Sequence, residues 1–107
     1  MSSGSLGKIV SVNGNFVPAY TVPATGISWS VISINCVNVG VADATIKIAI
    51  GTSATPGKGD HIEFNTVLAP GAVLERTGIV CSPSEIVQLY ANSNDVVMRV
   101  HGAEQLA

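Results

Sequence analysis

Short apolar segments rich in Val, Ile and Thr run along the chain, separated by clusters of Gly, Pro, Asn and Asp, and no long stretch carries a helical period. The pattern predicts strands over 8–12, 16–22, 27–39, 44–50, 61–68, 73–81, 85–91 and 96–102. About eight strands with turn signals at this spacing predict an all-β fold, a single-domain antiparallel β-sandwich of jelly-roll or Ig-like type. The sandwich domain is expected over 8–103, with a flexible N-terminal arm at 1–7 and a short C-terminal tail at 104–107.

Alternation assigns faces, because successive side chains on a strand point to opposite sides of the sheet. Ile46, Ile48 and Ile50 form one row against Thr45, Lys47 and Ala49, and should point into the core. Ile62 and Phe64 likewise oppose His61 and Glu63, while Val96, Met98 and Val100 oppose Val97, Arg99 and His101. The segment 27–39 breaks this rule. Ile27, Trp29, Val31, Val37 and Val39 fall on odd positions and Ile32, Ile34 and Cys36 on even ones. Such a strand is either central with both faces covered, a partner subunit being one possible cover, or bulged near Ser33 so that inside and outside switch; the bulge is the favoured reading.

Turn chemistry is well specified. Asn13-Gly14 is a hairpin signal, Ala69-Pro70-Gly71 has the order of a type II turn, Ser82-Pro83-Ser84 breaks its flanking strands, and Ser93-Asn94-Asp95 reads as a polar tip. The longest loop, GTSATPGKGD at 51–60, invites comparison with a phosphate-binding loop. Five residues separate Gly51 from Gly57-Lys58 where that motif has four, Gly59 replaces the hydroxyl residue, and a strand follows instead of a helix, so an ordinary surface loop is the better reading. Only His61 and His101 could serve as a catalytic base, and neither a nucleophile elbow nor a metal-ligand spacing accompanies them. No enzyme activity, cofactor or metal is expected.

Composition changes the picture more than any motif. Of the 107 residues, 47% are hydrophobic and only 11% charged. A chain of this mass should expose about 5,600 Å², over which five Lys and Arg and seven Asp and Glu are spread. Designed free-standing surfaces run about 25 to 35% charged, so much of this one is expected to lie against other protein. The cations Lys8, Lys47, Lys58, Arg76 and Arg99 are scattered and the net charge is -2, which argues against nucleic acid. No apolar run is long enough to span a bilayer, and the polar N-terminus carries no secretory signal, so cytoplasmic synthesis is the default. Cys36 and Cys81 show no ligand spacing, and two buried free thiols are favoured over a disulfide.

Candidate interface residues follow from the same reasoning. Ends with free backbone donors and acceptors can add to a neighbour's sheet edge, which brings in Ser2, Ser3 and Leu6 from the arm and Gln105 and Leu106 from the tail. Glu75-Arg76 puts opposite charges on opposite faces, either both reaching water at an edge strand or one pairing across a subunit interface. Trp29 reads as a core anchor, with an interface hot spot as the alternative.

TVPA at 21–24, Asn35-Cys36-Val37-Asn38, IKIAI followed by TPGKGDHIEF, GAVLERTGIVCSPSE and the closing VVMRVHGAE together resemble a group of short tailed-bacteriophage virion proteins. The likeness covers most of the chain from Tyr20 to Glu104 and is greatest to capsid decoration, or cement, proteins. It implies a small β-sandwich that binds the major capsid protein or another virion protein, forms homo-oligomers with a trimer favoured, and resides in the virion after synthesis in the host cytoplasm. Tail, neck or fibre modules, and less closely a carbohydrate-binding domain, are the alternative roles. Neither nucleic acid nor membrane is an expected partner, and the resemblance carries over no catalytic residue.

Overall fold

The computed structural model describes residues 3–107. Eight strands follow one another, β1 (Ser3–Val10), β2 (Phe16–Thr21), β3 (Ile27–Asn38), β4 (Ala44–Gly51), β5 (His61–Leu68), β6 (Val73–Cys81), β7 (Ile86–Ala91) and β8 (Val96–Leu106), with one 3-10 turn at Lys58–Asp60. β1 pairs with β8, β2 with β7, β3 with β6 and β4 with β5, all antiparallel, as if one long hairpin had been rolled up. Rolling adds the β3–β8 and β4–β7 pairs. The result is two four-stranded sheets, β1-β8-β3-β6 (sheet I) and β2-β7-β4-β5 (sheet II). That is the strand order of a jelly roll, one of the two sandwich types expected.

The core lies between the sheets and is built mainly by their central strands. Ile32, Ile34 and Cys36 of β3, Ile46 and Ile48 of β4, Val87 and Leu89 of β7, and Val96, Met98 and Val100 of β8 are all buried. Burying aliphatic side chains of this size contributes about 1.5–3 kcal/mol each. Cys36 and Cys81 are buried free thiols, and burial pushes their pKa up to about 12 and about 11. Both therefore stay protonated and pack as small hydrophobes.

β3 changes face, but not where the pattern placed the change. From Ser30 to Asn38 the even residues are buried without interruption, while Ile27 is buried on an odd position. The switch is a bulge at Ser28, where Ile27 pairs with Leu106 and Trp29 already pairs with Gln105. At the level of Ser33 there is a bulge too, but on the neighbouring strand. Ile32 faces Ile79 and Ile34 faces Arg76, so the extra residue lies in Thr77-Gly78, with Gly78 at φ 67°. Only glycine adopts that backbone without strain, and the bulge is how β6 turns Leu74 and Ile79 to the same inner side.

Other expectations need correction. Residues 3 to 7, expected in a flexible arm, are strand residues paired to β8 from Ser3↔Ala103 onward, and residues 104 to 106, expected as a tail, continue β8 along β3. Asn13-Gly14 makes a turn that carries the chain from sheet I to sheet II, so it joins no hairpin. In β5, Phe64 points outward and Glu63 inward, opposite to the predicted phase, because irregularities at Ile62 and at Phe64-Asn65 break its alternation against β4. The Ala69–Ala72 turn matches its expected type, closed by Ala72 N–H donating to Ala69 O at 2.9 Å with Gly71 at φ 76°.

Polar groups in the interior are paired. The Tyr20 hydroxyl donates to Glu104 Oε2 at 2.6 Å and accepts from Ser30 Oγ at 2.8 Å, since its own proton is committed to the carboxyl. Burial first, then the Glu104 bond, pushes the Tyr20 phenol up to about 12. Asn38 Nδ2 donates to the carbonyls of Ala42 and Leu68 at 2.8 and 2.9 Å, which ties the β3–β4 turn to the end of β5.

Candidate functional site

The outer face of sheet I is the first of two surfaces that stand out. Its register lines side chains into rows across all four strands. Val10, Val97, Val37 and Val73 make one row, with the two end members 54% and 53% exposed. Next comes a charged row of Lys8, Arg99, Asn35 and Glu75, basic on the β1 side and acidic on the β6 side. A row containing Ser5, His101 and Ser33 follows, then Ser3, Ala103, Val31 and Val80, and finally Trp29 beside Gln105. Val12, Val39 and Val41 are also exposed, in the turns just beyond the valine row. Exposed apolar side chains gathered on one face in this way are uncommon on a small protein.

The predicted interface residues divide among several places. Ser2 lies outside the described residues. Ser3, Trp29 and Gln105 come together at one end of this face, and Leu106 is exposed beside them, paired to Ile27. Trp29 is 41% exposed, so the core-anchor reading is wrong: the Ser28 bulge turns it outward. Leu6 is the extra residue of a β1 bulge and packs against the core. Glu75 is exposed in the charged row, on the strand that forms an edge of the sheet. Arg76 turns the other way, and its guanidinium forms an ion pair with Glu63 of β5, bridging the two sheets within one chain. Thr66 Oγ1 donates to the other carboxylate oxygen at 2.8 Å.

The second surface is an aromatic cluster on the outer face of sheet II, which the sequence reading did not assemble. Lys47 Nζ sits 4.9 Å from the Phe64 ring centroid and 4.8 Å from that of Tyr90, close enough for cation–π attraction to both. His61 meets Phe64 edge-on at 5.2 Å and Phe16 at 6.0 Å, and Phe16 lies 5.4 Å from Tyr90. Phe64 is 61% exposed and, with Lys58 and His61, lines a depression of about 450 Å³. Lys58 brings the loop 51–60 to its edge. Gln88 Nε2 holds that loop through Ser53 O at 2.8 Å, and the Gly57 N–H donates to Asp60 Oδ2 at 2.9 Å. His61 Nδ1 lies 3.0 Å from Gly57 O and, since a carbonyl only accepts, Nδ1 is the donor.

Chemically, the first surface offers flat apolar area with a polarised charge row, and the second offers ring faces with two ammonium groups nearby. Among the described residues no group of three His, Cys, Asp or Glu side chains converges as metal ligands. One signal for the second surface was present in the sequence, the outward phase of Lys47 opposite the isoleucine row; the phase of β5 hid the rest. No family model, curated protein or solved structure matches the chain.

Proposed function

We propose that this protein is a non-enzymatic structural component of a tailed-phage virion, a capsid decoration protein that binds and stabilises the shell of major capsid protein. The observation that supports the reading most is the outer face of sheet I, where an apolar row crosses four strands of a chain that is only 11% charged. A protein that occupies many equivalent positions on a rigid shell needs contact area and backbone hydrogen bonding more than a cleft. β1 adds the latter: it is an edge strand, with one side free to accept a neighbouring strand. Particles lacking the protein should lose resistance to heat or chelator and regain it when the protein is added back; unchanged resistance overturns the proposal. Copy number separates shell from tail, with hundreds per particle expected and about a dozen or fewer pointing to a tail, neck or fibre position.

The aromatic cluster supports a second reading, a carbohydrate-binding module at a fibre or tail tip. Ring faces stack on the apolar faces of sugars, and Phe64 and Tyr90 are placed on the outside of the sandwich beside an open depression. Glycan-array binding that disappears in Phe64→Ala and survives in Trp29→Ala would establish that reading over the first.

A further inference from the structure

We infer that the outer face of sheet I is the contact through which two copies of this chain pair, sheet against sheet, about a two-fold axis that runs along the strands between β8 and β3. The charge row selects this arrangement. Rotation about such an axis exchanges β1 with β6 and β8 with β3 while keeping every row at its own level. Lys8 then meets the partner's Glu75 at both ends of the row, and Arg99 meets the partner's Asn35. Val10 lands on the partner's Val73 and Val97 on the partner's Val37, so the valine row closes on itself. His101 meets the partner's Ser33.

The other in-plane axis, running across the strands through the His101 row, does worse. It sets Lys8 against the partner's Ser3 and Glu75 against the partner's Val80, covering both charges without an opposite partner, which costs binding energy. Lys8, Arg99 and Glu75 form no ion pair among the described residues, so all three are available to a second copy. An isologous contact requires a self-complementary surface, and a row that is basic at one edge and acidic at the other is one.

Size is consistent with a dimer of moderate strength. With strands about 4.8 Å apart and about 3.3 Å per residue, four strands of this length present roughly 600 Å² per copy, against about 800 Å² in a standard interface. Twisted sheets stack with strand directions within about 30°, which a two-fold axis along the strands permits. This pairing covers the face on which the virion reading rests, so a dimer in a virion would meet its partner through other surfaces such as the β1 edge, and it is a two-fold contact, unlike the three-fold cluster that the family resemblance implies.

Sedimentation of the full chain tests it. The natural chain should be dimeric at about 200 µM, and Glu75→Lys alone, or Lys8→Glu with Arg99→Glu, should each weaken association at least about tenfold while circular dichroism shows an unchanged fold. An equimolar mixture of the two variants restores both Lys–Glu contacts and should return a heterodimer within about threefold of the natural affinity. Val37→Lys, at the centre of the valine row, should abolish association, and Val67→Lys on sheet II should leave it unaltered. A monomer at about 200 µM overturns the inference. So do a trimer, a dimer indifferent to the Glu75 and Lys8 substitutions, a mixture no tighter than its components, or equal weakening by Val67→Lys.

Discussion

A carboxylate that leaves water needs partners, and Glu63 finds two, the Arg76 guanidinium and the Thr66 hydroxyl. Glu63 is 8% exposed while Arg76 is far more open, so the pair is half-screened and worth less than a fully buried one. Arg76→Met should therefore destabilise by about 1–2 kcal/mol, chiefly by stranding the carboxylate, and Glu63→Leu added to it should recover part of the loss. Denaturant melts of the two variants decide the matter; a silent Arg76→Met would mean that Glu63 reaches water unaided. Three further residues make stability pH-dependent. Tyr20 is pushed from 10.0 to about 12, and the thiols of Cys36 and Cys81 from 9.0 to about 12 and about 11, each mainly by burial. All three are raised above their unfolded values, so the unfolded chain gives up these protons first. Their contribution is complete below about pH 9 and drains away as pH climbs toward 12, at up to about 1.4 kcal/mol per pH unit for each group in play. Melting temperature should fall across that window, and the slope should flatten in Tyr20→Phe with Cys36→Ala. An equal slope in the variant would remove these groups as the cause.

Among the elements, β8 is paired on both sides, as β3 is, and near its end Glu104 is buried. Glu104 accepts from Tyr20, and Ala107 N–H donates to Gly26 O at 3.2 Å. Deleting 104–107 should cost about 2–4 kcal/mol at roughly 1 kcal/mol per net hydrogen bond together with lost strand pairing, and lower the melting temperature by about 10–20 °C. A frayed tail would leave the melt unchanged. The strand bounds of β3 to β7 were legible because turn residues and apolar runs mark them locally, and alternation named the buried row of β8 correctly and that of β4 at Ile46 and Ile48, although Ala49 of the opposite row is buried too and Ile50 only half-buried. What escaped was phase wherever a bulge intervenes. Gly78 inside β6 was a local mark of an extra residue and went unread, whereas Ser28, Leu6 and Asn65 carry none, since a bulge is defined by the strand opposite. Trp29 was misplaced for that reason, as were Phe64 and Glu63. The paired ends of β1 and β8 were missed on another ground: Ser, Gly, Gln and Ala have weak strand propensity, and only the partner strand makes them a ladder. The candidate faces were thus half-legible, with the charge deficit visible in composition and the rows visible only through register.

For the molecule as a whole, the rolled hairpin brings the two ends of the chain side by side, with Ser3 opposite Ala103. That pairing is the most distant in sequence, and a fold that must close it should form slowly, because loop closure is entropically costly before any contact offsets it. Joining the ends removes that closure, and a cut in the loop 51–60 hands it to the β4–β5 pair instead. A circular permutant with Ala107 linked to the N-terminus by about four Gly and Ser residues, which span roughly 13 Å, and opened between Ala54 and Thr55 makes the β1–β8 contact local. The cut falls in exposed loop residues, and Ser53 stays attached to β4, so its bond to Gln88 can still form. The permutant should fold with a melting temperature within about 10 °C of the natural chain and, because the sum of loop closures is nearly the same, refold at a rate within several-fold of it in stopped-flow mixing. The outer face of sheet I is untouched by either change, so its self-association should persist. The depression beside Phe64, which the opened loop meets at Lys58, should loosen instead. A permutant that refolds much faster would identify the meeting of β1 with β8 as the slow step of the natural chain, and one that refolds much more slowly would identify the local β4–β5 hairpin as the contact from which the natural chain folds.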